Sequence, residues 1–283
     1  MPVTTFDAPD LPVELGSITT DPPDGMTKEI AAVRLEEVGA ELFRLQDLMW
    51  GARQTGVLIV LQGRDAAGKD GTIKNVVGEL NPRGVSVISF GVPTREEREH
   101  DFLWRIHKHT PRRGEVAIFN RSHYEDVLVP RVHKLAGREV WQRRFEQINA
   151  FESMLASEDT IVLKFFLHIS KKEQLKRLLE REKHPETAWK LNPDDWRDRG
   201  LWKQFTNAYE DILRHCSTPQ APWHVVPSDS KWYRNLVVAE ALLAAMQPHE
   251  KRWREKLLAE GREGKAALAA YRRKLGKLGV KAE

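Results

Sequence analysis

A single cysteine, Cys216, among 283 residues leaves no intrachain disulfide and no cysteine-rich metal site. No apolar run is long enough to span a bilayer. The first 26 residues lack the basic-then-apolar order of a secretory leader. They are acidic and carry Pro2, Pro9, Pro12, Pro22 and Pro23, so an extended arm is expected over residues 1–26 and the cytoplasm is the expected location. There is no low-complexity tract and no short repeat, which excludes a solenoid. A strong overall charge is also missing. The formal net charge is +4, but from Pro248 onward there are 11 Lys and Arg against 5 Asp and Glu, leaving 34 against 36 in the rest. A near-neutral body with a basic tail argues against nucleic acid as a partner of the whole protein. The tail, residues 248–283, reads as a helix interrupted by glycines, either solvated or touching a polyanion or another subunit.

What is present suits one α/β domain with additions: 41% hydrophobic and 30% charged residues. The chain is organised around VLIVLQGRDAAGKDGTI, residues 57–73. Val57 to Leu61 is a short β-branched apolar run, as in a strand buried on both faces. Gly63 to Lys69 has the phosphate-loop spacing G-x-x-x-x-G-K, and a helix opens behind it. Glycines let backbone N–H groups turn toward an anion, the helix start adds positive partial charge, and Lys69 supplies a cation that can follow a phosphate. Gly63, Ala66, Ala67, Gly68, Lys69, Asp70 and Gly71 are therefore candidate phosphate-binding residues. The loop departs from the usual pattern. Asp70 stands where Ser or Thr normally holds Mg²⁺, and Asp65 lies inside the loop. Asp65 is read here as a Mg²⁺ ligand that takes over the hydroxyl's task; the alternative is a plain turn residue.

Alternating elements follow. A helix is expected over 28–53 behind a Thr27 cap, strands over 85–90, 115–119, 160–169 and 223–227, and helices over 95–109, 137–157, 170–184, 194–215 and 232–246. Strands alternating with helices imply a parallel sheet covered on both faces, with residues 27–247 as the domain. The third strand delivers Asn120 and Arg121. Arg121 can clamp a phosphate through its planar fork or pair with a nearby acid, and Glu125 or Asp126 could supply the charge that Asn120 lacks. His123 and Tyr124 either stack on a base or close the core. Arg177 and Arg181, four apart on a basic helix that breaks at His184-Pro185, together with Trp189-Lys190, suggest a lid over about 177–196.

These pieces together resemble the polyphosphate kinase 2 family. The likeness rests on GRDAAGKDGTIK (63–74), NPRGV (81–85), SFGVPT (89–94), FLWRIHKHTPRRGE (102–115), FNRSHYEDVLVPRV (119–132), KFFLHISKKEQLKRLLER (164–181) and APWHVVPSDSKWYRN (221–235), and covers roughly residues 30 to 245. It implies a three-layer, thymidylate-kinase-like P-loop fold with a helical lid. It also implies phosphoryl transfer between inorganic polyphosphate and nucleotides with Mg²⁺, Mn²⁺ being the possible substitute. By motif, Asp65 matches the metal-binding Asp, Lys69 the phosphate-binding Lys, Arg121 the Arg after the third strand and Arg181 the lid arginine. Asn120 with Glu125 resembles the branch that accepts both AMP and ADP, with Glu125 a second metal or water ligand. On this resemblance the catalytic set is Asp65, Lys69, Asn120, Arg121, Glu125 and Arg181. Arg177 and Lys190 join the phosphate-binding set, and His123, Tyr124 and Asp126 are candidates near the nucleotide. A homo-oligomer, dimer or tetramer, is the family expectation. Lys74, Arg112, Arg113 and Lys134 are candidates for a track along a long anionic donor. Two other readings are an ATP-dependent nucleoside or nucleotide kinase and a non-catalytic polyphosphate- or nucleotide-binding protein.

Overall fold

The computed structural model describes residues 4–277. Its centre is β2, Gly56–Gly63, which is buried at every position. Such a strand needs partners on both edges and cover on both faces. It pairs in parallel with β4, Val116–Asn120, on one edge and β5, Thr160–His168, on the other. Beyond β4 lies β3, Val85–Ser89; beyond β5 lies β6, Trp223–Pro227. The sheet order is β1-β6-β5-β2-β4-β3.

The expected all-parallel sheet needs one correction. Thr4–Phe6 forms β1, which joins the edge of β6 antiparallel, pairing Thr5 with His224 and Phe6 with Trp223. The N-terminal arm is thus extended and docked: Phe6 and Leu15 are buried, and Leu15 N donates to Glu210 Oε1 at 2.9 Å. The sheet is mixed. The arm's first residues, 1–3, and the tail's last, 278–283, lie outside the described residues.

Two cores follow from the period-two alternation of β2. Leu58 and Val60 face a core built with α5 (Glu125–Val132), α6 (Arg138–Ser157) and α9 (Trp202–His215). Val57, Ile59 and Leu61 face a core built with α1 (Lys28–Ala52) and α10 (Lys231–Met246). Thr27 caps α1 by accepting from Ile30 N, and Arg53 ends it in the left-handed region. The result is the expected three-layer α/β arrangement. The remaining helices are α2 (Lys69–Val76), the single turns α3 (Arg95–Arg98) and α4 (Trp104–His107), α7 (Lys171–Lys183), α8 (Pro193–Gly200) and α11 (Glu250–Lys277).

Three expected helices differ in detail. Residues 95–109 form two turns rather than one helix, because the Asp101 carboxylate accepts from Leu103 N and folds the chain between them. Residues 194–215 divide at Leu201, just after Gly200. The tail runs as one helix through Gly261 and Gly264. Its first turns belong to the body: Trp253 is fully buried and its Nε1 donates to Thr55 Oγ1 at 3.0 Å. Among the described residues, no helix is long and apolar enough to cross a membrane.

Candidate active site

In a parallel α/β sheet, ligands bind beyond the carboxyl ends of the strands. Here β2 ends at Gly63, β4 at Asn120 and β6 at Pro227, and a cleft of about 640 Å³ opens above them. Its floor is the loop from Gly63 to Lys69.

The loop's shape is imposed from below. Arg177, buried at the middle of α7, spends all its N–H groups on protein. Its Nη1 donates to the carbonyls of Ala66 (3.0 Å) and Ala67 (3.1 Å), its Nη2 to those of Ser228 (2.6 Å) and Asp229 (2.8 Å), and its Nε to Glu173 (2.9 Å). Arg234, buried in the first turns of α10, donates to the Ala67 carbonyl at 3.3 Å and to Asn235. Burial, then the neighbouring Arg177, brings its pKa down to about 10. Gly68 lies at φ 110°, and a Cβ there would sit 1.8 Å from Arg234 Nη1. Only glycine fits both the conformation and the space. Arg177 is therefore a strut of the loop and not a phosphate ligand, which corrects its place in the phosphate-binding set. The spacing of Arg177 and Arg181 puts both on one helix face and both border the cleft, but Arg177 spends its N–H groups on the loop and its surroundings whereas Arg181, a turn further on, reaches Asp195.

Lys69 folds back into the loop, donating to Gly63 O at 2.7 Å and to Arg64 O at 3.3 Å. Burial, then the Arg121 charge, lowers its pKa to about 8 against the pull of Asp65, Glu125 and Asp70. Arg121 has φ 65°, a left-handed conformation at the end of β4 that turns its side chain toward the loop. It meets Asp65 at 2.5 Å and Glu125 at 3.4 Å. Burial works against its charge, but Glu125 and Asp65 outweigh that and hold the guanidinium above its ordinary value. Both alternatives for Arg121 are thus combined in one place: it is ion-paired, and it lines the cleft. Asn120 donates to Asp70 at 3.0 Å, and Lys190, reaching from the turn Pro185–Lys190, pairs with the other Asp70 oxygen. Those two contacts, Lys190 foremost, lower the Asp70 pKa. Arg181 pairs with Asp195 at 2.9 Å, linking α7 to α8 across the cleft. Burial, then Asp65, pushes Asp195 up to about 6.

Asp65 and Glu125 both reach the Arg121 guanidinium, one from the loop and one from α5. Two carboxylates beside a phosphate site are hard oxygen donors that suit Mg²⁺, which takes one or two carboxylates and fills its remaining positions with water and phosphate oxygens.

The nucleotide candidates after Arg121 require correction. His123 and Tyr124 are fully buried and do not line the cleft. Tyr124 Oη donates to Glu152 at 2.8 Å, His123 Nε2 lies 3.1 Å from the same oxygen, and Lys164 bridges Tyr124 Oη, Glu152 and the Cys216 carbonyl. They close the core, and neither ring has a face open to a base. Asp126 is also turned away, its carboxylate held by Arg105 at 2.9 Å. Trp189, 78% exposed, brings an aromatic face to the cleft.

The family model for polyphosphate kinase 2 (PPK2) matches residues 25–254. The chain belongs to that family. It is 50% identical over 220 residues to an AMP/ADP-polyphosphate phosphotransferase of Meiothermus ruber, covering 78% of this chain and 82% of that protein. It is 39% identical to an ADP-polyphosphate phosphotransferase of Rhodopseudomonas palustris, over 72% of this chain and 74% of that one. Among solved structures, the crystal structure of polyphosphate kinase 2 from Arthrobacter aurescens superimposes with a TM-score of 0.81 at 39% identity, covering 83% of this chain and 86% of that one. A putative polyphosphate kinase 2 from Pseudomonas aeruginosa gives 0.78 at 35% identity, covering 84% of this chain and 51% of that one. The P-loop kinase fold expected from residues 57–73 is the fold of these PPK2 structures.

Lys231, Arg234 and Asp195 also line the cleft and were not singled out from the sequence. For Lys231 and Arg234 the available signal was SDSKWYRN, directly after the strand 223–227. A basic helix opening behind a parallel strand at the edge of a phosphate site is where cations are useful.

Proposed function

We propose that this protein transfers phosphoryl groups between inorganic polyphosphate and adenine nucleotides, converting AMP to ADP and ADP to ATP. The observation that carries the reading is the convergence of Lys69, Arg121, Arg181, Lys190 and Lys231 on one open cleft above a phosphate loop. Such a density of cations suits a long polyanion and a nucleotide phosphate held together. The Meiothermus ruber relative, named for both AMP and ADP, supports the dual acceptor, as does Asn120 in place of an acid.

The chemistry is positional. The acceptor phosphate is already an anion at neutral pH, so no strong base is needed. Lys69 and the loop N–H groups hold one side of the transferring group. Arg121 exchanges a carboxylate partner for phosphate oxygen, and Arg181 and Lys190 approach from the lid. Charge developing on the transferring oxygens meets fixed cations. Trp189, beside Lys190 at the cleft mouth, offers a stacking face for the base. Asp65 and Glu125 would hold Mg²⁺, or Mn²⁺ in its place, which when bound would offset repulsion between the two phosphate substrates.

The test is a transfer assay with polyphosphate and Mg²⁺, offering AMP and ADP separately, with products separated by chromatography and Lys69→Ala as control. Formation of ADP and ATP, both lost in the variant and on chelation with EDTA, is the expected result. Transfer from ATP to AMP without transfer from polyphosphate would replace the reading with an ordinary nucleotide kinase. Binding of polyphosphate without any transfer would leave a binding protein.

A further inference from the structure

Two departures from the usual phosphate-loop pattern meet in space. Asp70 stands where the loop usually has Ser or Thr, and Asn120 ends β4 where a neighbouring strand usually brings an acid. Asp70 lies in the first turn of α2, where the helix start favours negative charge. The backbone of Asn120 is pinned. It pairs with Leu61 of β2 on one side and Ser89 of β3 on the other, and its carbonyl accepts from Phe90 N at 3.1 Å. Only the side-chain amide is left to turn.

That amide donates through Nδ2 to Asp70 Oδ1 at 3.0 Å, while Lys190 holds Asp70 Oδ2. An ionised carboxylate can only accept, so it decides which end of the amide faces it. Nδ2 is drawn to Asp70. Oδ1, which accepts no hydrogen bond among the described residues, is left for an occupant of the cleft that both residues line. A Ser or Thr at position 70 could donate or accept, and the amide could then turn either way. An acid at position 120 would set two carboxylates side by side. Each departure fits the other.

We infer, on the reading of this cleft as a phosphoryl-transfer site, that Asp70 is a positioning residue whose carboxylate turns the Asn120 amide so that a neutral oxygen, and not an N–H, meets the substrate. Such an oxygen accepts from water or from a hydroxyl beside the acceptor phosphate and brings no charge to repel it. Lys190 offsets the charge of Asp70 itself. The Asp70 side chain is then no phosphate ligand.

The first arm of the test needs no substrate. The full chain carries isotopically labelled asparagine, and the seven side-chain amides are few enough to resolve by NMR, with Asn120→Asp identifying the pair from Asn120. Asp70→Ala should move the bonded Asn120 amide proton upfield and speed its exchange with water about fivefold. The second arm follows transfer from inorganic polyphosphate. Asp70→Ala should lower kcat about tenfold without raising the KM for polyphosphate. Asn120→Asp should lower kcat in the wild-type chain yet raise it in Asp70→Ala, because a carboxylate shows the cleft an oxygen whichever way it turns. An Asn120 amide indifferent to Asp70→Ala would overturn the inference. So would Asn120→Asp acting with the same sign in both backgrounds, or a raised KM for polyphosphate in Asp70→Ala. A higher Mg²⁺ requirement in Asp70→Ala with the Asn120 resonance unmoved would make Asp70 a metal ligand instead. If no transfer is found, the proposed function fails, and the amide resonance alone decides whether Asp70 orients Asn120.

Discussion

Lys69 sits inside the phosphate loop with its amine closed over by protein, and this has a measurable cost in the ligand-free state. Its pKa falls from 10.5 to about 8, burial being the leading cause. Between those values the unfolded chain binds a proton that the folded chain does not, so stability rises with pH across this window. Below pH 8 both states carry the proton, and the burden on the folded state is at its full size of about 3 kcal/mol. Replacing the residue, as Lys69→Met, removes the titration. It also removes the bonds to the Gly63 and Arg64 carbonyls, but that loss offsets the whole stability curve without changing its slope. Urea denaturation of both proteins should therefore show the wild type gaining on the variant by about 2 to 3 kcal/mol between pH 7 and pH 10. Titrations that the Lys69 charge does not influence cancel in the difference, and the carboxylates it does influence, Asp70 and Asp195, titrate below the window. A gap that stays constant to within about 0.5 kcal/mol would refute the reasoning, because it would mean that the amine keeps its ordinary affinity for protons. The same argument requires proton uptake when inorganic polyphosphate binds near pH 8.5. Calorimetry in two buffers of different ionisation enthalpy would register it.

Trp189→Ala should raise the KM for AMP and ADP by roughly 5- to 100-fold, the worth of one stacked base, with little change in the KM for polyphosphate; Trp189→Phe should recover most of the loss. Steady-state kinetics with each substrate varied would separate the two. Lys164→Met leaves Glu152 buried without its cation and should cost about 3–5 kcal/mol in urea denaturation, and Glu152→Gln added to it should return a large part. Gly68→Ala drives Arg234 off the Ala67 carbonyl. Transfer should fall by about a hundredfold while circular dichroism shows the fold intact.

The phosphate-loop segment was legible because its chemistry is local. An apolar run followed by glycines, Lys69 and a helix start specifies strand, loop and helix within 17 residues, and the structure keeps that order. The basic helix ending at His184-Pro185 was readable for the same reason. What escaped depends on contacts distant in the chain. His123 and Tyr124 looked available to a base until Glu152 and Lys164 brought them into the core. The role of Arg177 is decided by carbonyls at Ala66 and Ser228, which helical periodicity cannot reveal. Three residues at Thr4–Phe6 give almost no strand signal of their own, and the open edge of β6 supplies the pairing.

The mould under the phosphate loop also has a consequence for the order of synthesis. The residues of the phosphate loop leave the ribosome early, but the two guanidiniums that hold their backbone come much later, Arg177 from α7 and Arg234 from α10. Until α10 has emerged and docked, the notch beside Gly68 has nothing to fill it and the Ala67 carbonyl lacks the second of its two donors. A chain stalled between residues 69 and 234 would carry the complete loop sequence without all of its mould. Grafting residues 63–69 onto another strand and helix would fail for the same reason, since the graft would bring the glycines and leave the mould behind.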